Sequence, residues 1–428
     1  MMKFYDFFAL RRIGMTWALL WVALTGCRDD EMPDPAVNRE EGAIQDVYAI
    51  MKEWYLWNEE LPDLNLSEFN TPQEVLEALR KNPIDRWSFI EDAETYNQLF
   101  DQGKYEGYGV RFVWEDEHTL RIALVYKDSP FYEAGIRRGW KVNKINGQAV
   151  VNLTDNLSAA TNTFEFESPE GNQLNKAFTK EEIDINTVLH SSVIPVNNTK
   201  VGYLVFSSFL QTSEVELKKV FEEFQAAGIS DLILDMRYNG GGRVNIAEYL
   251  ASNIIGPAGI GKNFIEYVHN EDKTAYNQSH TFIEAELPLN LTRLIVIATE
   301  STASASELII NGLKPFMDII LVGDDTHGKP VGSYSFNDRD KKYAINPITF
   351  AITNEDGEGY YFDGLKADVY VPDGLARDFG DPEESQLKEV LYYIEHGSFS
   401  ISGARQTLPA PSRKSLAYEG IYQITGAY

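Results

Sequence analysis

Three stretches between residues 235 and 333 hold residue types that could do chemistry, and each admits more than one use. Asp235-Met236-Arg237-Tyr238-Asn239-Gly240-Gly241-Gly242 is a glycine-rich turn directly after an apolar run. Its backbone can approach a ligand closely and aim N–H groups at an anion. A phosphate loop is one use, but no Gly-Lys-Ser/Thr follows and the glycines do not fit the dinucleotide pattern. A plain tight turn is another. An oxyanion hole is the third, because a carbonyl oxygen becoming negative needs the same preorganised donors. Ser301-Thr302-Ala303-Ser304-Ala305-Ser306-Glu307 lies between a strand and a helix. A hydroxyl there sees the positive end of the helix, which favours the oxyanion formed when it attacks a carbonyl. Serine is also a preferred N-cap, so Ser304 or Ser306 could merely cap that helix. Asp324-Asp325-Thr326-His327-Gly328-Lys329-Pro330 follows the next strand. In a parallel sheet its loop emerges at the same edge as the serine turn, so Lys329 can reach Ser304. His327 with Asp324 or Asp325 invites a Ser-His-Asp reading, although adjacency along one loop does not orient a triad.

These residues need a scaffold, and beyond Lys200 the chain alternates strands with helices, an α/β pattern. Residues 201–206, 231–235, 294–298 and 319–322 are apolar runs, as expected for strands covered on both faces. Ser213 and Glu216 predict a capping box, with Leu217, Val220, Phe221 and Phe224 as the apolar face of a helix that Gly228 ends. A helix from about Ser306 separates the last two of those strands. Strands at 348–352 and 369–371 and a short helix near 384–395 follow. Upstream, Ile44, Val47, Tyr48, Met51 and Tyr55 fall at helical spacing. Residues 41–105 therefore read as a small helical domain, with Trp54, Tyr55 and Trp57 in its core and no chemistry of its own.

From about Gly107 short strands replace helices. Asp128-Ser129-Pro130, Ala134-Gly135, Gly139 and the strand ending at Asn146-Gly147 together resemble a PDZ domain, taken as residues 106–195. Gly107-Tyr108-Gly109-Val110 lies where that family has its carboxylate-binding loop. The resemblance implies a reader of polypeptide C-termini, which holds the chain end on N–H groups while the peptide adds a strand. Read from the residues alone, Gly107 and Gly109 could simply shape a turn.

With a PDZ-like unit ahead of them, the three stretches resemble the C-terminal processing, or tail-specific, serine peptidases over about residues 105–375. That family's Ser/Thr-Ala-Ser-Ala-Ser-Glu pattern matches Thr302 to Glu307, and its Gly-Lys motif matches Gly328-Lys329. The resemblance implies Ser304 as nucleophile and Lys329 as general base, with the N–H groups of Gly241 and Ala305 as the oxyanion hole. It also implies a ClpP/crotonase-like mixed sheet with flanking helices, polypeptide substrates, and no metal or organic cofactor. A basic lysine must be neutral, so its pKa must be lowered by burial. The chain departs from the family at Gly240, where proline is usual, at Pro330, and at Ser333, which stands in the place of a glutamine.

The whole chain has 428 residues, 43% hydrophobic and 24% charged, which fits a soluble globular body of several domains. Against 38 Lys and Arg stand 65 Asp and Glu; the formal charge of −27 would repel a phosphate backbone, so nucleic acid is excluded as a partner. One cysteine permits neither an internal disulfide nor a thiolate zinc site. Lys3, Arg11 and Arg12 precede a charge-free run, which reads as a signal peptide over 1–26. Leu24-Thr25-Gly26-Cys27 resembles the lipobox of bacterial lipoproteins, implying an acylated Cys27 and an outer-membrane lipoprotein of the cell envelope, periplasmic or surface-exposed. A tether over 27–40, the α/β peptidase domain over 196–400 and a tail over 401–428 complete the expected order. The expected whole is a lipid-anchored serine endopeptidase. The alternative is a catalytically silent PDZ scaffold or chaperone, which would need neither Ser304 nor Lys329.

Overall fold

A computed structural model describes residues 35–116, 118–150, 157 and 159–401. The signal segment, Cys27 and the first part of the tether lie outside the described residues, as does the tail from 402.

The apolar runs after Lys200 form the centre of a six-stranded sheet. Its order is Val188–Val196, Thr199–Phe206, Asp231–Asp235, Arg293–Ala298, Asp318–Gly323, Val369–Tyr370. The first pair is antiparallel and the later pairs are parallel, so the sheet is mixed. Alternate side chains serve two cores. Leu232, Leu234, Leu294 and Val296 pack with the helices Ser213–Ala227, Val244–Ile255 and Ala305–Leu313. Ile233, Ile295 and Ile297 pack on the opposite face with Leu387 and Val390 of the helix Ser385–His396. A second, antiparallel sheet of Gln278–Thr281, Asn263–His269, Ile348–Thr353 and Val331–Ser333 adds Phe264, Phe350 and Ile352 to the first of these cores.

Four expectations are corrected. The strand Val188–Val196 belongs to the six-stranded sheet, ahead of the boundary expected at 196. It returns through the two-residue turn Asn197-Asn198, with Asn197 at φ 51°, and covers what would otherwise be an open sheet edge. The helix Pro35–Trp54 begins inside the expected tether, because proline is tolerated in a first helical turn. The unit it opens is not self-contained either. Val47, Met51, Leu76 and Trp87 share a core with Val331, Ile345 and Ile348, and Phe89–Asp92 pairs with Tyr343–Asn346. So short a segment buries enough apolar surface only by borrowing its neighbour's. Finally, the capping box of Ser213 and Glu216 does not form. Ser213 Oγ accepts from Leu210 N–H at 3.0 Å, and the Glu216 carboxylate accepts from Thr187 and Val188 N–H, each at 3.0 Å. Those donors stand at the entry to the edge strand, where the chain leaves the middle unit.

That middle unit is an antiparallel sheet in the order Val110–Trp114, Leu120–Val125, Lys141–Ile145, Thr161–Glu167, Gln173–Thr179. It closes over Phe131, Phe164, Phe166 and Phe178, with Phe131 on a short helix capped by Ser129. Buried charges join it to the six-stranded sheet. The wholly buried Arg237 guanidinium meets Asp235 at 2.7 Å, Asp373 at 2.8 Å and Glu384 at 2.9 Å. Arg138 of the middle unit meets the same Asp373 at 2.6 Å. Burial pushes the Asp373 carboxyl up, but the two guanidinium groups hold it down at about 2. The turn that leads into the glycine run is thereby fixed by ion pairs from three remote segments.

Candidate active site

Ser304 is the residue from which the helix Ala305–Leu313 starts, at φ 57° and ψ −117°. A non-glycine residue in such a conformation costs on the order of 1–3 kcal/mol and persists only where its surroundings impose it. Two neighbours do so. Gly241, at φ 103°, lies so close that a Cβ there would be 2.8 Å from Ser304 Cβ and 2.9 Å from Ala305 N. Glu307, fully buried, reaches back to accept Ser304 N–H at 2.8 Å.

The same carboxylate accepts Lys329 N–H at 2.9 Å, Gly328 N–H at 2.7 Å and the Thr326 hydroxyl at 2.5 Å. Glu307 thus fastens the serine turn to the lysine loop. Burial pushes its carboxyl up, and these four hydrogen bonds oppose that shift. Glutamine has one carbonyl oxygen for donors that now share two carboxylate oxygens. Glu307→Gln is therefore expected to cost about 1–3 kcal/mol in thermal denaturation, and to lower kcat more than it raises KM.

Ser304 and Lys329 line one cavity of about 600 Å³, together with Gly240, Gly242, Leu308 and Ser333. The lysine is half-buried, and its desolvation pushes the ammonium down to about 8 against the opposing charges of Asp85 and Glu307. Asp85 is a wholly buried residue of the N-terminal segment, where the sequence signalled no chemistry. Gly241 N–H donates to Asn239 Oδ1 at 2.9 Å, whereas Ala305 N–H is the first of a helix and has no acceptor within it. Asn239 also ties the two turns together, its carbonyl accepting Ala303 N–H and the Ser306 hydroxyl, each at 3.0 Å. Ser306 is therefore a stitch between turns rather than a helix cap.

His327 is not among the residues lining this cavity. Its Nε2 accepts from Trp87 Nε1–H at 3.1 Å, and its Nδ1 lies 3.2 Å from Glu300 O. Arg86 donates to His327 O at 3.1 Å. The histidine expected in solvent is instead half-buried and clasped by the N-terminal segment. Asp325 accepts from Tyr370 and Ala367 and pairs with Lys366, so its carboxylate is engaged away from His327.

Of the expected C-terminus loop, Gly107 is paired in the strand Lys104–Gly107 and Tyr108 is buried in the aromatic core. Gly109, at φ 73°, leaves only 2.1 Å between a would-be Cβ and Ser129 Cβ. Val110 opens the strand Val110–Trp114, which is an edge of its sheet. From that strand Arg111 donates to Tyr238 O at 2.6 Å and to Ser301 Oγ at 3.1 Å, touching both catalytic-domain turns. No local signal marked Arg111, since an arginine on a strand usually faces solvent.

The family model described as peptidase family S41 matches residues 200–371, and that of the peptidase S41 N-terminal domain matches residues 43–89. The chain is 23% identical over 297 residues to the carboxy-terminal processing protease CtpA of Bacillus subtilis, covering 67% of this chain and 60% of that one. It is 26% identical over 257 residues to CtpB of the same organism, covering 57% and 51%. The chain thus spans less than two thirds of the length of these curated relatives. A crystal structure of an S41 protease from Bacteroides fragilis superposes with a TM-score of 0.68 at 22% identity, covering 82% of this chain and 97% of that chain. The photosystem II D1 C-terminal processing protease superposes with a TM-score of 0.50 at 16% identity, covering 78% and 93%. At these identities the likeness is one of fold.

Proposed function

Because this chain belongs to peptidase family S41, we propose that it is a serine endopeptidase that cuts polypeptides with Ser304 and Lys329 through an acyl-enzyme. The observation that carries this reading is the strained Ser304, held through Glu307 to the loop of a lysine whose ammonium titrates near 8. Neutral Lys329 takes the proton from Ser304 Oγ as that oxygen attacks the scissile carbonyl, and returns it to the leaving amine. Water then hydrolyses the ester, with Lys329 again as base. Ala305 N–H and Gly241 N–H stabilise the oxyanion, the latter once Asn239 Oδ1 releases it. Ser333 lines the same cavity, and in this reading it orients the lysine in the place of the glutamine that the family resemblance leads one to expect.

The middle unit is read as a PDZ-like domain that captures substrate C-termini at Gly107 to Val110 and along the open edge of Val110–Trp114. Support comes from that open edge and from Arg111, which joins it to both catalytic turns. Acylation of Cys27 would hold the enzyme to the bacterial envelope, most simply at the outer membrane. Incubating the protein from Arg28 onward with an unstructured polypeptide bearing an apolar C-terminus is expected to release internal peptides seen by mass spectrometry. Amidating that C-terminus should slow their release several-fold. Equal rates for the free and amidated forms would remove the chain-end reading and leave the peptidase.

A further inference from the structure

The cavity shared by Ser304 and Lys329 also has a polar wall that the reaction does not use. There Glu248, on the helix Val244–Ile255, pairs with His280 Nδ1, on the strand Gln278–Thr281. Both side chains are largely enclosed, at 17% and 18% exposure. His280 Nε2 is buried without a hydrogen-bond partner. With the Nδ1 proton directed at the carboxylate, a neutral ring leaves Nε2 as an acceptor. No lysine or arginine pairs with Glu248 among the described residues. The two other basic side chains on the cavity wall are engaged elsewhere, since Arg243 pairs with Asp101 and Lys329 is the base of the proposed reaction. The Glu248 carboxylate is thus presented to the cavity with no lysine or arginine to satisfy it.

The approach to this pair is aromatic. Tyr267 stacks on Phe350 with centroids 3.9 Å apart and lies 4.2 Å from the His280 ring. Burial together with the Glu248 charge keeps the Tyr267 phenol protonated. Tyr334 lines the same space. Aromatic faces accept both an aliphatic stem and a cation.

Resting on the peptidase reading, we propose that Glu248 and His280 form a specificity pocket for a basic side chain, lysine or arginine, on the substrate residue whose carbonyl Ser304 attacks. The stem lies along Tyr267 and Phe350, and the cation donates to the Glu248 carboxylate, which His280 holds in place. A neutral side chain of equal length would leave the carboxylate unmet, which is how a polar site rejects an analogue lacking the donor.

Two peptides identical except for lysine or norleucine at that residue test the proposal. The wild-type protein is expected to cleave the lysine peptide at least about tenfold faster in kcat/KM, and Glu248→Gln to bring the ratio below about two. Glu248→Asp, which keeps the charge on a shorter stem, should give an intermediate ratio and controls for damage to the fold. Independently of turnover, p-aminobenzamidine fluorescence on the Ser304→Ala protein should report binding that weakens about tenfold when Glu248→Gln is added. Norleucine cleaved as fast as lysine, or a lysine preference that survives Glu248→Gln, overturns the pocket while leaving the peptidase standing. If neither peptide is cut but probe binding still depends on Glu248, the cation pocket stands and the peptidase reading is the one that fails.

Discussion

Ser304→Ala is expected to abolish release of peptides from an unstructured polypeptide, lowering kcat by about four to six orders of magnitude, while the protein remains folded. The size of the loss follows from what the side chain supplies. Without Oγ there is no acyl-enzyme, and the oxyanion donors can only assist direct attack by water. The substitution removes one oxygen from a partly exposed side chain, so melting should change little. The backbone offers a sharper control. At φ 57° both serine and alanine are strained, and Ser304→Gly relieves that strain. The glycine variant should therefore be as inactive as the alanine variant yet melt higher. Persisting cleavage by either folded variant would move the nucleophile elsewhere. A glycine variant that melts lower than wild type would remove the claim of stored strain.

Lys329→Met should lower kcat/KM almost as far, by about four orders of magnitude, and should also remove a pH dependence. Because the ammonium titrates near 8, the wild-type rate should climb about tenfold per pH unit below that value and level off above it. The methionine variant should show a low, flat residual rate. The stability consequence has the opposite sign to that of most buried ion pairs. The folded state holds this lysine at about 8 and the unfolded chain at about 10.4, so the unfolded state binds more protons between those values. The penalty for burying the charge is fully present below 8 and is relieved as pH rises towards 10.4. Lys329→Met is thus expected to raise the melting temperature at pH 7 and to lose that advantage near pH 10. A wild-type rate independent of pH from 6 to 9, with unchanged melting in the variant, would remove Lys329 as the base.

Much of the site was legible along the chain because its signals are local. A continuous apolar run followed by glycines, or by small hydroxyl residues and a helix, describes a strand end and a helix start within about ten residues. The strands at 231–235, 294–298 and 319–322 could be named from such windows, whereas the roles proposed for Ser304, Lys329 and Gly241 come from the resemblance to the tail-specific peptidases. The parallel order of those strands then required their loops to emerge together.

Other features depend on segments far apart in the chain, and no window contains them. Glu216 and Ser213 have the spacing of a capping box, yet Glu216 turns to donors at 187 and 188, because packing brings two backbone N–H groups to it. Glu307 has the spacing of a helix-start residue. Only the fold adds the lysine loop as its second partner. Trp87 and Arg86 reach His327 from about 240 residues away, and Asp85 comes with them into the field of Lys329. The strain at Ser304 has no signature in residue type, since serine usually avoids that conformation; Gly241 and Glu307 impose it from outside. Periodicity and turn chemistry are properties of neighbouring residues, so the amino-acid order suffices for the strands and for the turns that carry Ser304 and Lys329. The lysine's lowered pKa, the clamp and the cavity arise where distant segments exclude water from a shared volume, and those come into being only with the folded chain.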